Sequence, residues 1–213
     1  MTRPRFPTIF ALAVLVALAS APAEGAGDLP GGGAFDPRLK GQLLVATPKM
    51  ADPRFREAVI FMVDHDSNGA MGFVVNRVYG RGPLSDLMEG FGVRTENGGS
   101  AVTREIVLHY GGPVEPGRGF VLHSDDYADD TTVKVSAGVS MSSRLDVLKS
   151  LARGEGPSRV LVVLGYSGWT AQQLEAELDR DDWLTAPADA EVIFGNEDAT
   201  KWRRAFAKAG LRL

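Results

Sequence analysis

The stretch that decides the fold is LKGQLLVATPKMADPRFREAVIFMVDHDSNGAMGFVVNR, residues 39–77. Three short segments in it are rich in Val, Ile, Leu and Phe and are bounded by Gly, Pro, Asp and Asn, a pattern typical of β-strands. They are residues 43–47, 58–64 and 71–76. Asn68-Gly69 supplies the left-handed backbone that a tight turn requires, so we expect the second and third strands to form a hairpin across residues 64–69.

The rest of the chain mixes short strands with irregularly placed helices. Further strands are predicted at residues 106–109, 120–123, 133–139, 160–164 and 192–194. Helices are predicted at residues 83–91, 143–152, 170–178 and 199–209, from apolar spacing and from end signals such as a Thr170/Gln173 capping box. The pattern predicts an α+β fold from residue 39 to 213: a single compact domain with a mixed, mostly antiparallel β core flanked by several helices.

The last helix should carry its apolar residues on one face. Trp202, Ala205, Phe206 and Ala209 recur at helical spacing, so we expect Trp202 and Phe206 to dock this helix on the sheet. The nearby basic residues are spaced to place several of them on its outer, solvated face. They are Lys201, Arg203, Arg204, Lys208 and Arg212.

The first 38 residues differ from the rest in composition. Two arginines precede an uninterrupted apolar run of 11 residues, 9–19, and Ala21-Pro22-Ala23 follows as a small-residue cleavage signal. This is the layout of a secretory signal peptide, and the run is shorter than the roughly 20 residues of a membrane-spanning helix. We expect residues 1–23 to be a signal peptide, residues 24–38 a flexible Gly-rich spacer, and the mature chain to be periplasmic, without a membrane span. The alternative is a cytoplasmic protein with a wrong start site.

Charge argues against a nucleic-acid partner. The chain is 44% hydrophobic and 23% charged, which is ordinary globular composition, and its formal net charge is −4. Cleavage after Ala23 removes two arginines and no acid, which changes the charge from −4 to −6. Since DNA and anionic lipid attract the opposite sign, direct nucleic-acid binding is not expected.

Ser167 is the best candidate for a nucleophile. It lies in Gly165-Tyr166-Ser167-Gly168, which is similar to the G-x-S-x-G elbow of hydrolases, but Trp169 stands where the second glycine belongs. We therefore expect a tight strand-to-helix connection here, ahead of a helix capped at Thr170. A histidine base for Ser167 would have to be one of the three in the chain, His65, His109 or His123.

Two clusters are similar in part to metal sites. Residues 64–69 begin like a calcium loop, D-x-D-x-N-G, but the twelfth position, where a bidentate glutamate belongs, is Val75. His123 precedes several acids, at positions 125, 126, 129 and 130, but their spacing matches no zinc signature or facial triad. We expect no metal site and no cofactor.

Four segments in a fixed order carry a resemblance to a known family. They are residues 39–77, GGPV at 111–114, GFVLHS at 119–124 and GYSGWTAQQLEAEL at 165–178. With them the chain resembles the YqgE/AlgH family from residue 39 to about residue 213. The resemblance implies a regulatory role, because AlgH was associated with control of alginate production and carries a regulator label, but it implies no reaction.

The resemblance therefore favours a non-catalytic binding or regulatory module with an unknown small ligand or protein partner. We expect the motif-bearing segments to form a small concave surface. Its residues would be Asn76, Arg77, Gly111, Gly112, Pro113, His123, Tyr166, Ser167, Gly168 and Trp169. Two alternatives stay open: an exported hydrolase or metal-dependent enzyme that uses Ser167 or the His123 cluster, and an envelope interaction protein.

Overall fold

The computed structural model describes residues 39–93 and 103–210. The strands are β1 (Gln42–Ala46), β2 (Val59–Asp66), β3 (Gly69–Val74), β4 (Val78–Pro83), β5 (Glu105–Tyr110), β6 (Val114–His123), β7 (Thr132–Ser136), β8 (Val139–Ser142), β9 (Val160–Thr170) and β10 (Trp183–Pro187). The helices are α1 (Leu84–Gly90), α2 (Asp146–Arg153), α3 (Gln173–Asp179), α4 (Ala190–Phe194) and α5 (Asp198–Gly210). The predicted signal peptide and spacer lie outside the described residues.

The strands form one sheet in the order β10-β1-β2-β3-β9-β6-β8-β7, with β5 also paired to β9 and β4 paired to β5. The pairing of β5 with β9 is parallel, and the other described pairings are antiparallel. The prediction of an α+β fold with a mixed, mostly antiparallel core is therefore confirmed. No helix in the described ranges is long and apolar enough to cross a membrane.

Strand β9 belongs to two layers of this sheet because its two halves pair with different strands. Residues 160–164 lie between β5 and β6, whereas residues 167–170 pair with β3. Gly165 separates the halves with a φ of +67°, in the left-handed region that favours glycine. The first layer is then β10-β1-β2-β3, the second contains β4 to β8, and β9 joins them.

Alternate residues of the strands face different cores, as the two-residue period of a strand requires. Leu43 of β1 and Val163 of β9 face a central core between the layers, together with α4 and α5. Their neighbours point outward: Leu44 packs in a core beneath α3, and Val162 packs in a core beneath α1 and α2. Each layer is thus buried on both faces over much of its area.

The helix docking predicted for the C-terminus is confirmed. Trp202 and Phe206 of α5 pack against the central core, and the Trp202 Nε1–H donates to the carbonyl oxygen of Ala46 in β1 at 2.8 Å. Helix α2 ends at Arg153, one residue beyond the predicted end, and Gly154 caps it with a left-handed backbone, φ +78°.

Two predicted strands are corrected. Residues 192–194 belong to the helix α4, which begins because the Asp189 side chain accepts hydrogen bonds from the backbone N–H groups of Glu191 and Val192. Residues 133–139 are not one strand but the hairpin of β7 and β8, which turns near Gly138 with φ +78°. Strands β4 and β10 were not predicted at all.

The connection predicted at residues 165–168 is also wrong, because pairing with β3 continues β9 as far as Thr170. Helix α3 begins three residues later, after Gln172 in a left-handed conformation. The Gln173 side chain accepts from the backbone N–H of Thr170 at 3.1 Å, as a capping-box glutamine does. The Thr170 hydroxyl caps no backbone N–H, however, and instead bonds to the Gln173 side chain at 3.3 Å.

The bend in β9 brings backbones into contact where no side chain fits. A Cβ on Gly165 would lie 2.6 Å from the carbonyl oxygen of Gly112, and a Cβ on Gly112 would lie 2.2 Å from the carbonyl carbon of Tyr166. A Cβ on Gly111 would lie 2.4 Å from the carbonyl oxygen of Gly165. We call these three residues, Gly111, Gly112 and Gly165, the glycine junction.

We predict that Gly165→Ala destabilises the fold far more than Gly138→Ala. Both glycines have similar positive φ values, but nothing lies within 4 Å of a Cβ on Gly138. Gly138→Ala, the control, should therefore lower the free energy of unfolding only by the cost of a left-handed backbone at alanine, about 1–2 kcal/mol. Gly165→Ala adds overpacking against backbone and should cost at least about 2 kcal/mol more. Urea unfolding of both variants measures the difference, and equal losses would contradict the junction.

Candidate functional site

Three of the four motif-bearing segments meet at the glycine junction. The Gly111 carbonyl oxygen accepts from the backbone N–H of Val74 at 2.8 Å and from the Ser167 hydroxyl at 3.3 Å. One residue earlier, the backbone N–H of Tyr110 donates to the carbonyl oxygen of Arg77 at 2.8 Å. The parts of the expected surface at residues 76–77, 111–113 and 166–169 are therefore neighbours.

Ser167 has a structural place in this arrangement. Its side chain lies in β9 and is 0% exposed. Its hydrogen bond to the carbonyl oxygen of Gly111 ties the second half of β9 to the end of β5. A serine nucleophile needs a base within hydrogen-bonding reach and a path to substrate. The buried position of Ser167 provides no such path, and no histidine in the described ranges bonds to its hydroxyl.

Asn76 and Arg77 hold the chain that enters β2. Asn76 Oδ1 accepts from the backbone N–H of Val59 at 2.9 Å, and its Nδ2 donates to the carbonyl oxygen of Glu57 at 2.8 Å. An Arg77 NH2 donates to the carbonyl oxygen of Arg56 at 2.7 Å, and burial lowers the pKa of Arg77. Glu57 has a positive φ of 56°, which is unfavourable for a residue other than glycine, and these bonds stabilise that backbone conformation.

His123 lies apart from the other residues of the expected surface, at the far end of β6. It pairs with Val160, whereas the start of β6 pairs with Tyr166 near the junction. The ring is 0% exposed, and its Nδ1–H donates to the carbonyl oxygen of Ser124 at 2.9 Å. Nε2 is then the acceptor for the Ser142 hydroxyl at 3.1 Å. The described residues contain no group of three or more His, Cys, Asp or Glu placed to hold a metal ion.

A cleft of about 390 Å³ opens beside the junction. Its walls come from the β1–β2 loop, the start of β6, the end of β9, α3 and the approach to β10. Three residues of the expected surface line it: Pro113, Gly168 and Trp169. The opposite wall was missed by sequence reasoning, and it includes Asp52, Arg54, Phe55, Arg180 and Trp183.

The floor of the cleft is built around the carboxylate of Glu177. The indole N–H groups of Trp169 and Trp183 each donate to its Oε2 at 2.8 Å, and Gln173 Nε2 donates to its Oε1 at 3.0 Å. The two indoles meet edge to face at 6.2 Å between ring centroids, and Phe55 meets Trp183 at 5.6 Å. These bonds and ring contacts hold each of these side chains in place.

The rim of the cleft carries paired charges. Arg54 binds Asp52 through two nitrogens, with its NH2 at 2.6 Å from Oδ2, and this bond lowers the pKa of Asp52. Arg180 pairs with Asp182 at 2.9 Å. The rim can therefore offer donors and acceptors of both signs to a polar ligand, without a strong net field.

Lys201 is a correction to the sequence analysis, because it is 0% exposed instead of lying on the outer face of α5. Its Nζ donates to the carbonyl oxygens of Val75 at 2.8 Å and Ile193 at 3.2 Å, and it lies 2.9 Å from Asp198 Oδ1. Three acceptors satisfy the three N–H groups of an ammonium, which is why burial is tolerated. Burial lowers the pKa of Lys201, and Asp198 acts in the opposite direction.

Asp198 also joins Lys201 to strand β5. Its Oδ1 accepts from His109 Nε2 at 3.0 Å, and its Oδ2 lies 3.5 Å from an Arg81 NH2. Burial opposes ionisation of Asp198, but the hydrogen bonds from His109 and Lys201 outweigh burial and lower its pKa. No sequence signal predicts this cluster, since its members lie in three separate elements.

Comparison with known proteins agrees with the motifs. A family model described as AlgH-like matches residues 43–213. A UPF0301 protein of Methylococcus capsulatus is 50% identical over 173 residues, 81% of this chain and 92% of that protein. A UPF0301 protein of Cereibacter sphaeroides is 47% identical over 166 residues, 77% of this chain and 88% of that protein.

Solved structures give the same result. The solution structure of AlgH from Pseudomonas aeruginosa aligns with a TM-score of 0.69 and 37% identity, covering 86% of this chain and 93% of that one. A protein of Corynebacterium diphtheriae aligns with a TM-score of 0.58 over 74% of this chain and 79% of that one; at 19% identity it shows a likeness of fold alone. The resemblance drawn from the motifs is confirmed, and this chain belongs to the AlgH-like family.

Proposed function

We propose that this protein is a non-catalytic binding module and that the cleft beside the glycine junction is its ligand site. The observation that carries the proposal is the built floor, in which the carboxylate of Glu177 holds two indoles and a glutamine in place. Binding sites are typically concave, largely preformed and lined by aromatic side chains with a few convergent polar groups. The cleft has each of these features.

The positions of the candidate catalytic residues support binding over catalysis. Ser167 and His123 are both 0% exposed, and their polar atoms bond to neighbouring backbone or to Ser142. Neither residue lines the cleft. A hydrolase that used either one would have to open the sheet to reach its substrate.

The lining suggests the chemistry of the ligand. The partly exposed ring of Phe55 would pack against a flat or apolar part, while Arg54 and Arg180 would bond to polar groups at the mouth. We therefore propose a small polar organic molecule with one flat face. A regulatory role would follow because an occupied cleft presents a changed surface of α3 and the β1–β2 loop to a protein partner.

A fragment screen by ¹⁵N-resolved NMR tests this proposal. Small polar aromatic fragments should shift the indole N–H signals of Trp169 and Trp183, because both groups donate to Glu177 in the cleft floor. Ala51→Trp should reduce these shifts about tenfold or more by filling the mouth, since Ala51 is an exposed lining residue.

The matched control is Ala207→Trp, which adds the same bulk at an exposed position of α5. It should leave fragment binding unchanged. Shifts that scatter over the surface, or that survive Ala51→Trp undiminished, would refute the cleft as the binding site.

We also propose that residues 1–23 direct export and are removed after Ala23. The support is the sequence layout, two arginines, an 11-residue apolar run and a small-residue cleavage signal. Mass spectrometry of the native protein after cell fractionation should find a chain that starts at Glu24 in the periplasmic fraction. Ala23→Arg should block cleavage, because the position before the cut requires a small residue. A cytoplasmic chain that retains Met1 would contradict the proposal.

A further inference from the structure

A second cavity, of about 90 Å³, lies between β5, the start of β9 and the turn from α4 to α5. Its lining includes Arg104, Glu105, His109, Asn196 and Asp198. It shares no lining residue with the cleft. Since one water takes about 30 Å³ of liquid, the cavity has room for a few waters or one compact ion.

The histidine in this lining has an unused acceptor. His109 is 3% exposed, and its Nε2 lies 3.0 Å from Asp198 Oδ1. A carboxylate accepts, so Nε2 carries the hydrogen and Nδ1 of the neutral ring has a free lone pair. Nδ1 is buried and has no hydrogen-bond partner in the described part of the chain. Such an atom is costly to leave unpaired, so a bound molecule with a donor would be stabilised there.

The charges around the cavity favour an anion. The carboxylate of Asp198 is offset by Lys201 at 2.9 Å and by Arg81 at 3.5 Å. Arg104 lines the cavity and makes no ion pair within the described ranges, while Glu105 is exposed beside it. Lys201 and Arg81 lie outside the lining and offset Asp198, so the lining cation available to an anion is Arg104.

We propose that this cavity binds a compact oxyanion that also carries a hydroxyl group. The anionic oxygens would bond to the Arg104 guanidinium, which is suited to carboxylate and phosphate, and the hydroxyl would donate to His109 Nδ1. Asn196 adds an amide at the same cavity. Two sources share this chemistry, a phosphate group and a 2-hydroxy carboxylate.

Paired probes on the unaltered protein test the hydroxyl requirement. Inorganic phosphate keeps a P–OH at neutral pH, whereas sulfate, of the same shape, has no hydrogen to donate. Glycolate and acetate form the second pair. The readout is the ¹⁵N resonance of His109 Nδ1, which moves when that atom gains a donor. Phosphate or glycolate should shift it at millimolar concentrations, and sulfate and acetate should not. The pair that responds identifies the source.

Variants at exposed arginines test the anion contact without disturbing the buried cluster. Arg104→Gln should weaken binding of the responding probe about tenfold or more, because a charge-assisted bond is lost. Arg203→Gln, which removes an exposed arginine from α5, should change the affinity less than twofold. Circular dichroism confirms that both variants fold.

Three results would overturn the proposal. The first is a His109 Nδ1 resonance that none of the four probes shifts. The second is an equal shift with phosphate and sulfate and no shift with glycolate. The third is an equal affinity of Arg104→Gln and Arg203→Gln for the responding probe. The second would mean non-specific attraction to a guanidinium. None of them bears on the cleft, whose fragment screen uses different residues.

Discussion

The close backbone contact at the glycine junction is the constraint on which both layers depend. Gly111 donates its N–H to the carbonyl oxygen of Leu164 at 2.7 Å and accepts from the N–H of Val74 at 2.8 Å. A single residue, Gly111, therefore joins β9 to β3, across the place where β9 passes from one layer to the other. A side chain on Gly112 or Gly165 would hold these backbones apart, and β9 could not pair with β3, β5 and β6 together.

The junction also explains why the cleft lies where it does. Beyond Gly165, β9 continues to Trp169, whose indole reaches the floor of the cleft, and the chain then turns into α3. The motif segments thus act mainly through backbone geometry, with Ser167 as one of its hydrogen bonds. The chemistry available to a ligand comes instead from side chains that the junction positions, above all Trp169 and Glu177.

Local pattern was enough to predict much of the fold. Apolar segments bounded by turn residues predicted β1 to β3, Asn68-Gly69 predicted the hairpin of β2 and β3, and the apolar stripe of α5 predicted that Trp202 docks it. The misses have non-local causes. β9 continues past Gly165 only because β3 is there to pair with it. The far wall of the cleft is in place because β10 pairs with β1. Next to that pairing, the Thr47 hydroxyl donates to the carbonyl oxygen of Asp181, 134 positions away. Buried Lys201 likewise depends on acceptors from distant elements.

Native-state hydrogen exchange at the amides of Val74 and Gly111 tests the central claim most directly. If the junction holds both layers together, these amides exchange only on global unfolding, and their opening free energy equals the free energy of unfolding measured with denaturant. The amide of Lys134, in the edge strand β7, should open at a lower free energy. The account would be contradicted if the amides of Val74 and Gly111 exchanged through a local opening of lower free energy while the amide of Val162, in the core, exchanged only on global unfolding.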